Sequence, residues 1–149
     1  MSRVRPLFIW AARLAVAGLF LAACIAKIRD PEAFALAVSR YRILPDEFVN
    51  LVAIILPWIE LTAGLAVLAA PARARAAGAL IIAGMLTVFT IAISLNLLRG
   101  IEASCGCFST RADAAVSDGW NLVRNGALIW LSIAAFLDAF RSAAAKDAP

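Results

Sequence analysis

Two cysteines held one glycine apart, Cys105-Gly106-Cys107, are the residues of this chain best suited to chemistry. A disulfide needs its Cα atoms roughly 4.4–6.8 Å apart with a set torsion. A bridge between residues this close therefore requires a sharp bend, which Gly106 permits because it has no Cβ. Strained, exposed disulfides have more oxidising potentials and act as labile or catalytic bonds. Three chemistries suit the pair: reversible thiol–disulfide exchange, a permanent bridge, and coordination of a soft ion such as Cu(I) by two thiolates. A permanent bridge that closes so small a loop gains little by chain entropy, which favours exchange. The remaining cysteine, Cys24, is either a third exchange partner or a small buried apolar side chain, the usual state of free cysteine.

Few other side chains are available for chemistry. The chain contains no histidine, which removes histidine-based catalysis and most zinc or copper sites. Three cysteines are too few for a disulfide framework or a closed zinc site, and no resident metal is expected. Glu60 stands inside an apolar run, where an ionised group costs at least about 2.5 kcal/mol. It needs a partner or a proton, and Arg13, Lys27, Asn96 and Arg124 are the candidates. Pro57, one turn earlier, is expected to kink the helix and free a backbone carbonyl. Lys27 and Arg124 can each reach out to the membrane surface. The alternative is that both, with Asn96 and Glu60, line a polar pocket beneath the cysteine segment. A quinone is the candidate cofactor for such a pocket, because its carbonyl oxygens need donors and its tail needs lipid access.

The elements that must position these residues are read from hydropathy. The 149 residues are 64% hydrophobic, against about 45–50% in soluble domains, and mean hydropathy is +0.90. Four apolar stretches stand out, at residues 7–26, 49–70, 76–98 and 120–140. Each has the roughly 20 residues that a helix needs to cross a bilayer core of about 30 Å. Only self-bonded backbone is tolerated in lipid, so the stretches are expected as helices. The expected fold is all-α: one membrane domain over residues 1–149, built as a four-helix bundle. Ala11, Ala15, Gly18 and Ala22 on the first helix, and Ala79 and Ala83 on the third, are expected at close helix contacts. Between the first two spans, Asp30-Pro31-Glu32 reads as a helix start. Phe34, Val38 and Tyr41 then share one face of a short interfacial helix, expected to end at Pro45.

Four spans put both termini on one side. Arg3, Arg5, Arg73, Arg75, Arg141 and Lys146 fall on that side, and Lys27, Arg29, Arg40, Arg42, Arg99 and Arg111 on the other. The tight loop at residues 71–75 is basic without an acid, and Arg3 and Arg5 precede the first span, so the termini are expected in the cytoplasm. The cysteine pair is then periplasmic, where disulfides persist, and the protein is a multi-pass component of a bacterial inner membrane. The opening residues also read as a lipoprotein signal ending in Leu21-Ala22-Ala23-Cys24. However, Arg13 interrupts its apolar run, and the run continues past Cys24. The net charge of +4 comes without a basic run or basic–aromatic interleaving, so no nucleic-acid partner is expected.

Several short pieces occur together in a fixed order. They are Ala26-Lys27-Ile28-Arg29-Asp30-Pro31 with Phe34, Tyr41-Arg42-Ile43-Leu44-Pro45, Leu56-Pro57-Trp58-Ile59-Glu60-Leu61, and Leu98-Arg99-Gly100. Cys105-Gly106-Cys107-Phe108 and Trp120 with Arg124-Asn125 follow. Through them residues 14–130 resemble the methylamine utilisation protein MauE family, within the DoxX-like group of small four-helix membrane proteins. Ser109 departs from the family pattern, which commonly has glycine there. The resemblance implies a role in maturing methylamine dehydrogenase, whose disulfide-rich small subunit is assembled in the periplasm. It also implies a thioredoxin-like partner, MauD. The expected function is thus a membrane thiol–disulfide redox protein, a possible oxidoreductase acting on a thiol-containing protein. The rivals are a non-enzymatic anchor for a soluble redox partner and a soft-metal handling protein.

Overall fold

A computed structural model describes residues 4–100 and 119–147. Helices α1 (Val4–Arg29), α3 (Asp46–Ala69), α4 (Ala72–Leu98) and α5 (Gly119–Asp147) are long, and α2 (Pro31–Arg40) is short. Each long helix contains a stretch long and apolar enough to cross a membrane: Pro6–Arg29, Asp46–Ala69, Ala72–Leu98 and Trp120–Ala145. The protein is a multi-pass, all-helical membrane protein. Its four spans form a ring in the order α1, α3, α4, α5, with neighbours packed against each other and the α1–α5 seam the loosest.

Each helix buries the stripe its 3–4 spacing dictates. On α5 these are Asn121, Asn125, Leu128, Ser132, Ala135 and Ala139. On α3 they are Val49, Ala53, Pro57, Glu60, Ala63, Gly64 and Val67. Leu7, Leu14, Trp58, Leu80, Val88 and Trp130 point outward, as expected of side chains whose solvent is lipid. Ala79 and Ala83 lie in the interior as expected, but Ala11, Ala15, Gly18 and Ala22 do not: they are exposed. On α1 the buried face is Ala12, Arg13, Val16, Ala17, Phe20, Ala23, Cys24 and Lys27. Two stripes of small residues run along this helix, and the polar Arg13 and Lys27 decide which of them turns inward.

A tight helix contact lies elsewhere, between α3 and α4. A Cβ on Gly78 of α4 would stand 2.8 Å from the Ala63 carbonyl oxygen of α3, so only glycine fits there. Arg13 closes the terminal end of the bundle. Its Nε and Nη2 donate to the Val67 carbonyl at 3.0 and 2.8 Å, and Nη2 also donates to the Leu68 carbonyl at 2.8 Å. These are among the last carbonyls of α3, which have no partner within the helix.

At the opposite end, α2 begins as its sequence predicts. The Asp30 carboxylate accepts from the Ala33 N–H at 3.0 Å, and Pro31 occupies the first turn. The helix stops earlier than expected, at Arg40. Arg42 takes a φ of +48°, a left-handed conformation that cannot continue a right-handed helix. Pro45 instead sits at the N-terminus of α3. Pro57 is accommodated inside α3, which runs unbroken through it.

Candidate functional site

Four buried polar side chains, Lys27, Asn96, Asn121 and Asn125, lie toward the end of the bundle that carries α2, Glu60 lies near the middle of α3, and Arg13 lies at the opposite end. Lys27 Nζ of α1 donates to Glu60 Oε1 of α3 at 2.5 Å, and the two side chains are 2% and 1% exposed. Helix direction brings them together, because each side chain leans toward the N-terminus of its own helix. α1 runs toward the α2 end, so Lys27 leans back into the bundle. α3 runs away from that end, so Glu60 leans toward Lys27. The ammonium also lies 4.8 Å from the centroid of the Phe34 ring on α2 and 5.5 Å from that of Phe89 on α4, within cation–π range. Four elements therefore meet around one charge.

This pairing selects among the expected partners of Glu60. Arg13 is committed to the end of α3, two turns and about 10 Å further along the helix. Lys27 does not reach out to the surface; Glu60 holds it inside. Arg124 is half-buried near the start of α5. Asn96 is buried, and neither its Oδ1 nor its Nδ2 has a hydrogen-bond partner among the described residues. Asn125, absent from the expected set, is buried too. Its Nδ2 and the Glu60 Oε2 likewise lack partners among the described residues. The signal for Asn125 was its place on the heptad stripe from Asn121 to Ala139.

Lys27, Glu60 and Asn125 line a small cavity of about 20 Å³, walled otherwise by leucine, phenylalanine and alanine side chains. Lys27 and Asn125 offer the donors a quinone carbonyl would need. Asn96 and Arg124 are not in its wall. Cys24 is fully buried one turn before Lys27, and its Sγ–H donates to the Leu21 carbonyl at 3.1 Å. Cys105, Gly106 and Cys107 lie outside the described residues. The helices on either side of their segment, α4 and α5, end and begin at the α2 end of the bundle. Among the described residues, no group of three or more acidic, histidine or cysteine side chains could hold a metal ion.

Residues 5–138 match the family described as methylamine utilisation protein MauE. Methylamine utilization protein MauE of Paracoccus denitrificans is 38% identical, over 88% of this chain and 69% of the relative. That of Paracoccus versutus is 39% identical, over 95% and 76%. That of Methylophilus methylotrophus is 32% identical, over 82% and 64%. No solved structure matches the chain. The chain belongs to the MauE family.

Proposed function

We propose that this MauE-family protein is a membrane thiol–disulfide redox protein that serves methylamine utilisation by supporting disulfide formation in a periplasmic protein. Methylamine dehydrogenase is the proposed target and a MauD-like thioredoxin-fold protein the proposed partner. One observation carries most of the weight. Buried Lys27, Asn96, Asn121 and Asn125 lie within two turns of the end of the bundle where α4 stops and α5 starts, the two helices between which the sequence carries Cys105 and Cys107. Lipid-embedded ionisable groups are expensive and by default functional, and the buried Lys27 in the last turn of α1 is one of them.

The exchange conserves atoms and electrons. A partner thiolate attacks the Cys105–Cys107 disulfide, one S–S bond breaks, and a mixed disulfide forms with the departure of one thiolate. The partner's second thiol then attacks the mixed disulfide. The partner leaves oxidised by two electrons, and Cys105 and Cys107 are left as thiols. The proposed site is the inner membrane, with the termini cytoplasmic and the cysteine segment periplasmic.

A Cys107→Ser variant tests this: the Cys105 thiolate attacks the disulfide of the oxidised partner, that S–S bond breaks as the mixed disulfide forms, and Cys107 is no longer there to resolve it. A covalent, reductant-sensitive adduct with a thioredoxin-like protein is expected, together with loss of target maturation in the Cys105→Ser/Cys107→Ser double variant. Maturation that survives the double variant would instead mark the chain as a non-enzymatic anchor.

A further inference from the structure

We propose that α2 is a hinged lid over the Lys27–Glu60 pair, with Phe34 as its plug, and that it opens to the aqueous phase at that end of the bundle while the four spans stay assembled. Lys27 lies in the last turn of α1, so the route from its ammonium to the end of the bundle is short. Phe34 covers the ammonium on the α2 side: its ring is 4% exposed, with the centroid 4.8 Å from Nζ. Phe34 and Ala37 are the buried residues of α2. One aromatic side chain therefore carries most of the contact that holds this helix down.

The helix is bounded so that it can swing as a unit. Non-helical backbone flanks it on both sides, with Asp30 at φ −138° and ψ 75° and Arg42 at φ +48°, and hinges are residues at such element ends. The Ala33 N–H donates to the Asp30 carboxylate, and Ser39 Oγ donates to the Leu36 carbonyl; both bonds are local and travel with the helix. Nor does α2 lie flush against α3. An open cleft of about 300 Å³ runs between them, lined by Glu32, Leu36 and Ser39 of α2 and by Asp46, Val49 and Asn50 of α3. Two like charges, Glu32 and Asp46, share that cleft, which opposes tighter packing. Opening also has a compensation that an apolar core lacks. The Phe34 ring loses its burial, but the uncovered ammonium gains water, and hydration of a charge is strongly favourable.

The test labels amines of the full chain in lipid nanodiscs with a membrane-impermeant sulfosuccinimidyl ester, read by mass spectrometry. The sequence has two lysines, Lys27 and Lys146, so Lys146 serves as the internal reference. Slow labelling of Lys27 is expected in the unaltered protein, and Phe34→Ala should speed it about tenfold or more relative to Lys146. Gly78→Ala loosens the α3–α4 contact toward the other end of the bundle. It should leave the Lys27 rate within about twofold, because a local opening does not follow global stability. An equal rise in both variants would show that Lys27 is reached only through unfolding of the bundle, and overturns the lid. So does a Lys27 that never reacts in the unaltered protein, or one whose rate ignores Phe34→Ala. Should Phe34→Ala fail to fold, the other two proteins still decide: matching Lys27 rates support local opening, and a faster rate in Gly78→Ala contradicts it.

Discussion

Lys27 and Glu60 form an ion pair inside the bundle, and each depends on the other. Breaking a buried pair by removing one partner leaves an uncompensated charge and costs about 3–5 kcal/mol, whereas replacing both with apolar groups is often neutral or better. Lys27→Met or Glu60→Leu alone should therefore lower the unfolding midpoint sharply, and the double variant should recover most of the loss; thermal unfolding in nanodiscs measures all three. Arg13 gives a contrasting case. Its three hydrogen bonds to the last turn of α3 should make Arg13→Met destabilising by on the order of 1.5–3 kcal/mol. Arg13→Lys should rescue it only in part, because one ammonium cannot reproduce the guanidinium fork. The need of Glu60 for a partner was legible in the sequence, since a carboxylate among apolar residues demands one. The choice of Lys27 was not, because it follows from two antiparallel helices whose side chains lean toward each other.

The elements were legible wherever hydropathy alone defines them. Four long apolar helices and an Asp30-capped start of α2 follow from the sequence, and the structure has both. The facing of α1 was less accessible, because small residues line both sides of that helix and a rule favouring small residues at contacts cannot choose between them. The same structure makes a paired prediction. Gly78→Ala forces a Cβ to 2.8 Å from the Ala63 carbonyl oxygen, which must push α3 and α4 apart at about 1–3 kcal/mol. Gly18→Ala meets nothing within 4 Å and should leave stability unchanged or slightly raised, given the helix propensity of alanine. Equal losses in the two variants, measured by thermal unfolding, would contradict the packing described. The early stop of α2 was hidden from the sequence, because Pro45 is an evident breaker and the left-handed Arg42 gives no comparable signal.

At the scale of the whole molecule, an even number of spans assigns the ends of the chain to one side and the cysteine segment to the other. The proposed orientation predicts that a membrane-impermeant maleimide labels Cys105 and Cys107 in intact spheroplasts after mild reduction. A reporter fused after residue 149 should stay cytoplasmic. Cys24, buried in the bundle, should remain unlabelled until the protein is unfolded. The polar cluster and the cysteine segment then face the same compartment, which is what a membrane component needs if it is to exchange disulfides with a soluble partner there.

Reversible opening and closing of the Cys105–Cys107 bond is what a redox titration reads. Protein in nanodiscs would be equilibrated in graded thiol–disulfide buffers, alkylated, and weighed by mass spectrometry. A single two-electron transition is predicted, in which both thiols appear together, with the same midpoint in a Cys24→Ser background. A pair that stays closed, or stays open, across every buffer would contradict the account.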